Sequence, residues 1–344
     1  MKILSIDTSC DETCAAVTED LKILSNVIWS QASFHANFGG VMPSLAQRLH
    51  KERIDFVVQK ALITDIDAIA VTIGPGLAIA LEVGISKAKE LATKYNKPLI
   101  AVNHIEGHLL SAFALKRSDL TQSSDLKKVG PYLGLVISGG HTELIKINKI
   151  GDYEILTQTQ DDALGEALDK AARMLGLGYP GGAVLEKMAK LGKSDSYSLP
   201  LPMAGKEQDN YFSYSGLKTA FYRLVEKEKP LTKEKIYNLA ASFQNMAFRH
   251  LTRVSSLAIT NAQSLVPSAF LLVGGGVAAN TEVRKRIRNM SKEFGIKTLF
   301  PSSKKLCGDN AAMIGIAAHF KAQRNEYVKD VNSLDRQPRL SIEE

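Results

Sequence analysis

Two stretches of this chain repeat one order of features: a short apolar strand, a turn of small and hydroxylic residues, then two further strands. The first runs from residues 2 to 7 into the turn Thr8 to Glu12, and on through Cys14 to Thr18 and Ile23 to Trp29. The second runs from Tyr132 to Ile137 into Ser138-Gly139-Gly140-His141-Thr142, then through Leu144 to Ile147 and Tyr153 to Leu156. After the first unit, Gly39-Gly40 leads into Met42 to Leu62, where Leu45, Leu49, Ile54, Phe56, Val57 and Leu62 recur at helical spacing beside Arg48, His50, Lys51 and Arg53. Ala68 to Ile73 reads as a buried strand. It turns at Gly74-Pro75-Gly76 into a helix from about Leu77 to Lys94, and Leu99 to Val102 is the next strand. Strand–helix alternation predicts α/β sheets, whose ligands gather at the carboxyl ends of the strands.

That last strand delivers the chain onto Asn103-His104-Ile105-Glu106-Gly107-His108. On a helix, residues four apart share one face about 6 Å apart along the axis, so both imidazoles can reach one metal ion. This is not the zinc-protease pattern, in which Glu follows the first His directly. Glu106 stands midway between the two and turns to the opposite side. The pair alone is equally compatible with surface or capping histidines, and a third ligand from elsewhere is required.

The second half continues with Asp161 to Lys170, read as the start of a helix with acids in its first turn and Asp169 inside it. Gly176 to Gly182 is a rigid turn into another helix. Residues 192 to 214 are a polar excursion, and helices are expected over roughly 216 to 228 and 233 to 264. Ala269 to Val273 is a buried strand ending in Gly274-Gly275-Gly276, which lets a ligand approach the backbone before the next helix. Leu306 to Gly315 is a turn followed by a small-residue helix. The domain division expected is residues 1–116, a linker loop at 117–130, residues 131–324, and a polar tail at 325–344 that frays.

Composition sets outer bounds. With 344 residues, 45% hydrophobic and 23% charged, the chain suits two globular domains. It has no apolar run of about 18 residues, so no membrane span is expected, and Met1 to Asp7 is too short in apolar length for a secretory signal. Three cysteines argue for a reducing compartment and a cytoplasmic location, with Cys10 and Cys14 as small buried side chains. The formal charge of +7 permits an acidic partner such as RNA without requiring one.

Taken together, Asp7 to Thr13, His104 to His108, Ser138 to Thr142, Asp169-Lys170, Tyr179 to Gly182, Gly274 to Asn280 and Gly308 to Met313 stand in the order and spacing of one family. Over about residues 1 to 322 the chain resembles the tRNA adenosine threonylcarbamoyltransferases of the bacterial type, formerly described as O-sialoglycoprotein endopeptidases. The resemblance implies an α/β, duplicated two-domain actin/sugar-kinase/Hsp70-like (ASKHA) fold with a nucleotide cleft between the halves. It implies transfer of a threonylcarbamoyl group from threonylcarbamoyl-AMP to the exocyclic amine of the adenosine 3′ of the anticodon, in tRNAs that read codons starting with A. His104, His108 and Asp309 would hold one divalent metal ion, Fe2+ or alternatively Zn2+. Val136, Ile137, Ser138, Gly139, Gly140, Asp169, Gly182 and Asn280 would bind the donor, with Asp169 also a candidate general base. Beyond tRNA, the partners implied are an inactive paralogue of the same fold and an accessory ATPase.

Two departures bear on those partners. Ser44 stands where the family usually has Glu, and Leu77 to Gly84 lacks its usual Gly-Ser and carries Glu82 at an apolar position. That helix is where bacterial members meet the paralogue. Three rival functions are weaker. A metalloprotease leaves the glycine turns unexplained, a sugar or acetate kinase of the same fold needs no His-His-Asp set, and a non-catalytic partner would have lost the metal ligands.

Overall fold

The computed structural model describes residues 1–114, 132–205, 210–262 and 270–344. The expected linker at 117–130 lies outside the described residues. In chain order the first half contains β1 (Lys2–Asp7), β2 (Glu12–Glu19), β3 (Lys22–Ser30), α1 (Ala32–His35), α2 (Pro43–Ala61), β4 (Ala68–Gly74), α3 (Ala78–Tyr95), β5 (Leu99–Asn103) and α4 (His104–Leu110). The second contains β6 (Tyr132–Ile137), β7 (Thr142–Lys149), β8 (Asp152–Gln158), α5 (Leu164–Met174), α6 (Gly182–Ala189), α7 (Ser215–Lys227), α8 (Lys233–Ala262), β9 (Phe270–Gly274), α9 (Thr281–Glu293), β10 (Lys297–Leu299) and α10 (Ala311–Gln323).

Among the described residues the strands form two five-stranded sheets, ordered β3-β2-β1-β4-β5 and β10-β9-β6-β7-β8. In each, a three-stranded antiparallel meander is extended by two parallel strands. β6 therefore occupies the place of β1, and β9 the place of β4. The repeat read from the sequence is a repeat of topology, and the turns after β1, β4, β6 and β9 fall at equivalent sheet ends.

Between the sheets lies α4, and every one of its residues is buried. Ile105, Leu109 and Leu110 belong to one apolar cluster with Val136 and Leu272 of the second sheet and with Ile314 and Ile316 of α10. Burying each such side chain stabilises the fold by about 2 kcal/mol. α10 follows the second sheet in sequence, yet it packs on β1, β2, β5 and α4. The two histidines and the Asp309 loop are thereby clamped into one core.

Three local expectations are corrected. α5 begins at Leu164, so Asp161 and Asp162 precede it. Asp161 instead accepts bonds from Tyr214 N and from the Ser213 and Ser215 hydroxyls at 2.8, 2.5 and 2.6 Å, which ties the polar excursion down. The buried face of α2 is formed by Ala46, Leu49, Ile54, Val57, Val58 and Ala61, and Phe56 is exposed with Lys60 above its ring. The tail does not fray. Val328 N donates to Leu99 O at 2.8 Å and Gln337 N to Ile73 O at 2.7 Å, while Ile342 is buried in the core. Its apolar residues are widely spaced, and the average polarity of the segment conceals them.

Candidate active site

β1 ends at Asp7 and β5 at Asn103, carboxyl ends on the same edge of the first sheet with parallel β4 between them. Asn103 caps α4, its Oδ1 accepting from Ile105 N at 2.8 Å, while its Nδ2 donates to Ser341 O of the tail at 2.9 Å. With the first turn fixed in this way, His104 and His108 lie on one helix face, their ring centroids 4.7 Å apart at 79°. Asp309 arrives from the loop before α10. That loop is set by Asn310, whose Oδ1 accepts from Met313 N at 3.1 Å and whose Nδ2 donates to Gly308 O at 2.8 Å.

The three side chains converge. Asp309 Oδ1 is 3.1 Å from His108 Nε2 and 3.6 Å from His104 Nε2, and ligand atoms of the three residues lie within 4.8 Å of one another. His108 Nε2 has no partner of hydrogen-bond geometry among the described residues despite that proximity. Buried polar atoms left unpaired are costly. Two imidazoles and a carboxylate aimed at one point, without bonding each other, form a donor set that fits a divalent ion with open positions. Burial opposes charge on His104, but the Asp309 and Asp7 carboxylates outweigh it and raise the ring to about 10. His108 is lowered by burial and by His104. Asp309 is held well below the usual carboxylate range against its burial, chiefly by His104.

His104 and Asp309 open onto a cleft of about 720 Å³. Ser138, Gly139, Gly140, Asp169, Tyr179 and Gly276 line it from the second half, and Cys10, Asp11, Glu12 and Gly76 from the first. Gly139 and Gly140 are exposed, with open space where a Cβ would point. The turn is braced from behind: Ser138 N donates to His141 O at 2.8 Å, and His141 N to Ser138 Oγ at 3.0 Å. Asp169 Oδ1 accepts from Gly181 N at 2.9 Å and Gly182 N at 2.7 Å. Burial raises the Asp169 carboxyl in spite of those bonds. His141, also in the cleft, is pushed down to about 4 by burial and by the two neighbouring histidines.

Other expected site residues stand back from the cleft wall. Val136 and Ile137 are fully buried in β6. His108 is fully buried beneath Asp309. Gly182 reaches the cleft only through Asp169. Asn280 is buried as the cap of α9, its Oδ1 accepting from Glu282 N at 2.9 Å and its Nδ2 donating to Gln244 Oε1 at 2.9 Å. The glycine run after β9 has a packing reason as well as an open one. A Cβ on Gly274 would lie 2.1 Å from His108 O, and Gly275 has φ +93° with Ile137 O 2.3 Å from the position of its Cβ. Only Gly276 of the three lines the cleft. Glu106 faces away, as its spacing implied, accepting from Tyr153 OH at 2.8 Å. Residues of the cleft that the sequence did not single out include His141 and Tyr179, although both sit inside motifs read for their glycines.

A family model described as tRNA N6-adenosine threonylcarbamoyltransferase matches residues 22–316. A protein of that name from Gloeothece citriformis is 44% identical over 331 residues, covering 92% of this chain and 92% of its own. One from Bartonella tribocorum is 42% identical, covering 98% and 94%. Among solved structures, full-length HypF in its phosphate- and nucleotide-bound form superposes with a TM-score of 0.59 at 14% identity, over 95% of this chain and 56% of that one. A ROK family glucokinase from Streptomyces griseus, in complex with glucose and AMPPNP, gives 0.51 at 15%, over 94% and 100%. At those identities the likeness is one of fold, and the fold is the one the family resemblance implied.

Proposed function

The chain belongs to the tRNA N6-adenosine threonylcarbamoyltransferase family and is a transferase of tRNA threonylcarbamoyladenosine biosynthesis, and from that premise we propose the reaction and the role of each site residue. The donor is threonylcarbamoyl-AMP and the acceptor the exocyclic amine of the adenosine 3′ of the anticodon. The amine nitrogen bonds to the carbamoyl carbon, the bond from that carbon to the phosphate oxygen breaks, AMP departs with the electron pair, and the amine loses one proton.

One observation carries this reading: two members of a His-His-Asp set line the same cleft as a bare Gly-Gly turn and a backbone-held carboxylate. His104, His108 and Asp309 are the residues that would hold a metal, Fe2+ with Zn2+ as the second choice. When bound, such an ion polarises a carbonyl and stabilises charge developing on its oxygen. The amides of Gly139 and Gly140 suit the donor phosphate, because open backbone at a turn meets anionic oxygen without side-chain clash, and Ser138, whose N–H is held by His141 O, braces that turn. Val136 and Ile137 support that turn from β6, while Gly182 and Asn280 support the donor site through Asp169 and the start of α9. Asp169 is assigned to a donor hydroxyl before proton transfer, since two backbone N–H groups already hold one of its oxygens.

Residues 1–116 and 131–324 act as the two halves of the cleft, with 117–130 between them and 325–344 as the tail. tRNA is the macromolecular substrate, and an inactive paralogue and an accessory ATPase are the further partners proposed. The location proposed is cytoplasmic. No helix among the described residues is long and apolar enough to cross a membrane.

The test is transfer from threonylcarbamoyl-AMP to unmodified tRNA, read as modified nucleoside by mass spectrometry, with and without candidate partners. Product that disappears in His104→Ala supports the reading. Product undiminished in that variant overturns the metal assignment, and no product under any condition overturns the reaction.

A further inference from the structure

α9 starts beside the cleft and leads away from it. Gly276 lines the cleft, Asn280 caps the helix four residues later, and 13 residues carry it about 20 Å outward. Its inner face is Val283, Ile287 and Met290, all buried. Its outer face presents Lys285, Arg288 and Lys292, exposed and spaced i, i+3, i+7 so that they form one stripe. The helix carries five cations and two acids, and one of those acids, Glu282, is engaged by Arg286 at 2.8 Å.

The stripe continues toward the metal loop. The Arg284 and Arg288 guanidinium groups lie over the Phe300 ring at 4.6 and 4.9 Å, and Arg284 Nη2 reaches Cys307 Sγ at 3.1 Å. These interactions bring the segment before Asp309 against the start of α9, and that segment exposes Lys304 and Lys305. The basic side of α2 is different. Arg48 lies 3.8 Å from Glu52, so an acid interrupts that row, whereas none stands among Lys285, Arg288 and Lys292.

We infer that the tRNA backbone docks along Lys285, Arg288 and Lys292 of α9 and across Lys304-Lys305 to the cleft. This rests on the proposed reaction and names the surface that presents its acceptor. A row of phosphates is the partner that fits a stripe of one sign ending at a nucleotide cleft, because each neutralised phosphate releases counterions.

The experiment measures binding of unmodified tRNA transcript by anisotropy at several salt concentrations, together with transfer and with calorimetric binding of threonylcarbamoyl-AMP. In the triple variant Lys285→Glu/Arg288→Glu/Lys292→Glu, the tRNA dissociation constant is expected to rise at least about 10-fold at low salt. The slope of log affinity against log salt should shrink by about 0.7 to 0.9 for each phosphate that the variant no longer neutralises. Donor binding should stay at wild type, and the melting temperature should fall only slightly, since Arg284 still stacks on Phe300 when the Arg288 stack is lost. Lys304→Glu/Lys305→Glu, on a separate element, should weaken tRNA several-fold. The reversal Arg48→Glu/Lys51→Glu on α2 should change it less than about two-fold. Wild-type tRNA affinity in both α9-side variants, or the large loss appearing in the α2 variant, overturns the surface while leaving the reaction standing. A wild-type protein that binds donor but neither binds nor modifies tRNA overturns the reaction, and the surface falls with it.

Discussion

Oδ2 of Asp7 lies 3.6 Å from Nδ1 of His104, and neither atom has a hydrogen-bond partner among the described residues. Asp7 is the last residue of β1 and His104 the first of α4, so the fold sets a carboxylate behind a candidate metal ligand. An imidazole that offers Nε2 to a metal carries its proton on Nδ1, and a carboxylate there fixes tautomer and ring orientation. Asp7→Asn is expected to lower metal affinity by about 10- to 100-fold, the usual effect of losing such a partner. Titrating metal-free protein with Co2+ and following its visible absorbance checks this without reference to turnover. Wild-type affinity in the variant would remove Asp7 from any role at His104.

Asp169 separates two effects. Asp169→Asn keeps an acceptor for the Gly181 and Gly182 amides and removes the charge, so the loop should hold while donor affinity falls about 10-fold, the cost of one charge-assisted bond. Asp169→Ala also strands two backbone N–H groups and should cost about 1–3 kcal/mol of stability each where they are buried. Calorimetry with threonylcarbamoyl-AMP and thermal melting read the two separately. Equal donor binding in wild type and Asn variant would show that the carboxylate serves the loop alone.

How much of the molecule is legible in its sequence depends on how local the cause is. The His104/His108 pair, the Ser138 to Gly140 turn and the repeated strand order are written in adjacent residues, and each appears as read. Asp7 stands out only as part of a motif, because its partner is 97 residues away and only the sheet-to-α4 crossing joins them. The start of α5 is misplaced by sequence for a related reason: acids before a helix favour its dipole, yet Asp161 and Asp162 bond to Ser213, Lys170 and Lys218, and two of these lie far along the chain. The Gly274-Gly275 pair reads as a ligand approach, but Gly274 is required by His108 O of α4 and Gly275 by its positive φ and Ile137 O of β6. Glu82, a departure from the expected helix, is half exposed and pairs with Arg336 of the tail at 2.9 Å, an association invisible until the tail is seen to fold back.

That tail yields a graded expectation. Val328, Val331, Leu334 and Leu340 pack on the first-sheet cluster, and backbone bonds join residues 328 and 337 to Leu99 and Ile73. Deleting residues 325–344 should lower stability by several kcal/mol, since each apolar side chain uncovered forfeits about 1–3 kcal/mol. Arg336→Ala should cost under about 1 kcal/mol, because the Arg336–Glu82 pair is solvent-screened. Urea denaturation of both variants distinguishes them, and equal small losses would mean that the tail merely lies on the surface.

His250 supplies a pH signature remote from the metal loop. It is fully buried in α8, edge-on to the Tyr214 ring at 5.3 Å and the Phe212 ring at 6.4 Å, and its Nε2 accepts from Ser213 N at 3.1 Å. That acceptor role requires the neutral ring. Burial first, and then Arg253, lower it from 6.5 to about 4. The unfolded chain takes up the proton near 6.5 while the folded chain resists until about 4, so falling pH favours unfolding. Its contribution is therefore complete above about pH 6.5 and is lost as pH falls toward 4, amounting to about 3 kcal/mol at most. His35, His50, His108 and His141 are also lowered, so wild type alone would not isolate it. In His250→Gln, which keeps an acceptor and does not titrate, the decline in unfolding free energy between pH 6.5 and 4 should be shallower than in wild type. Parallel declines in the two proteins would assign the acid sensitivity to the other histidines and to the carboxylates the fold holds low, such as Asp161, Asp162 and Glu326.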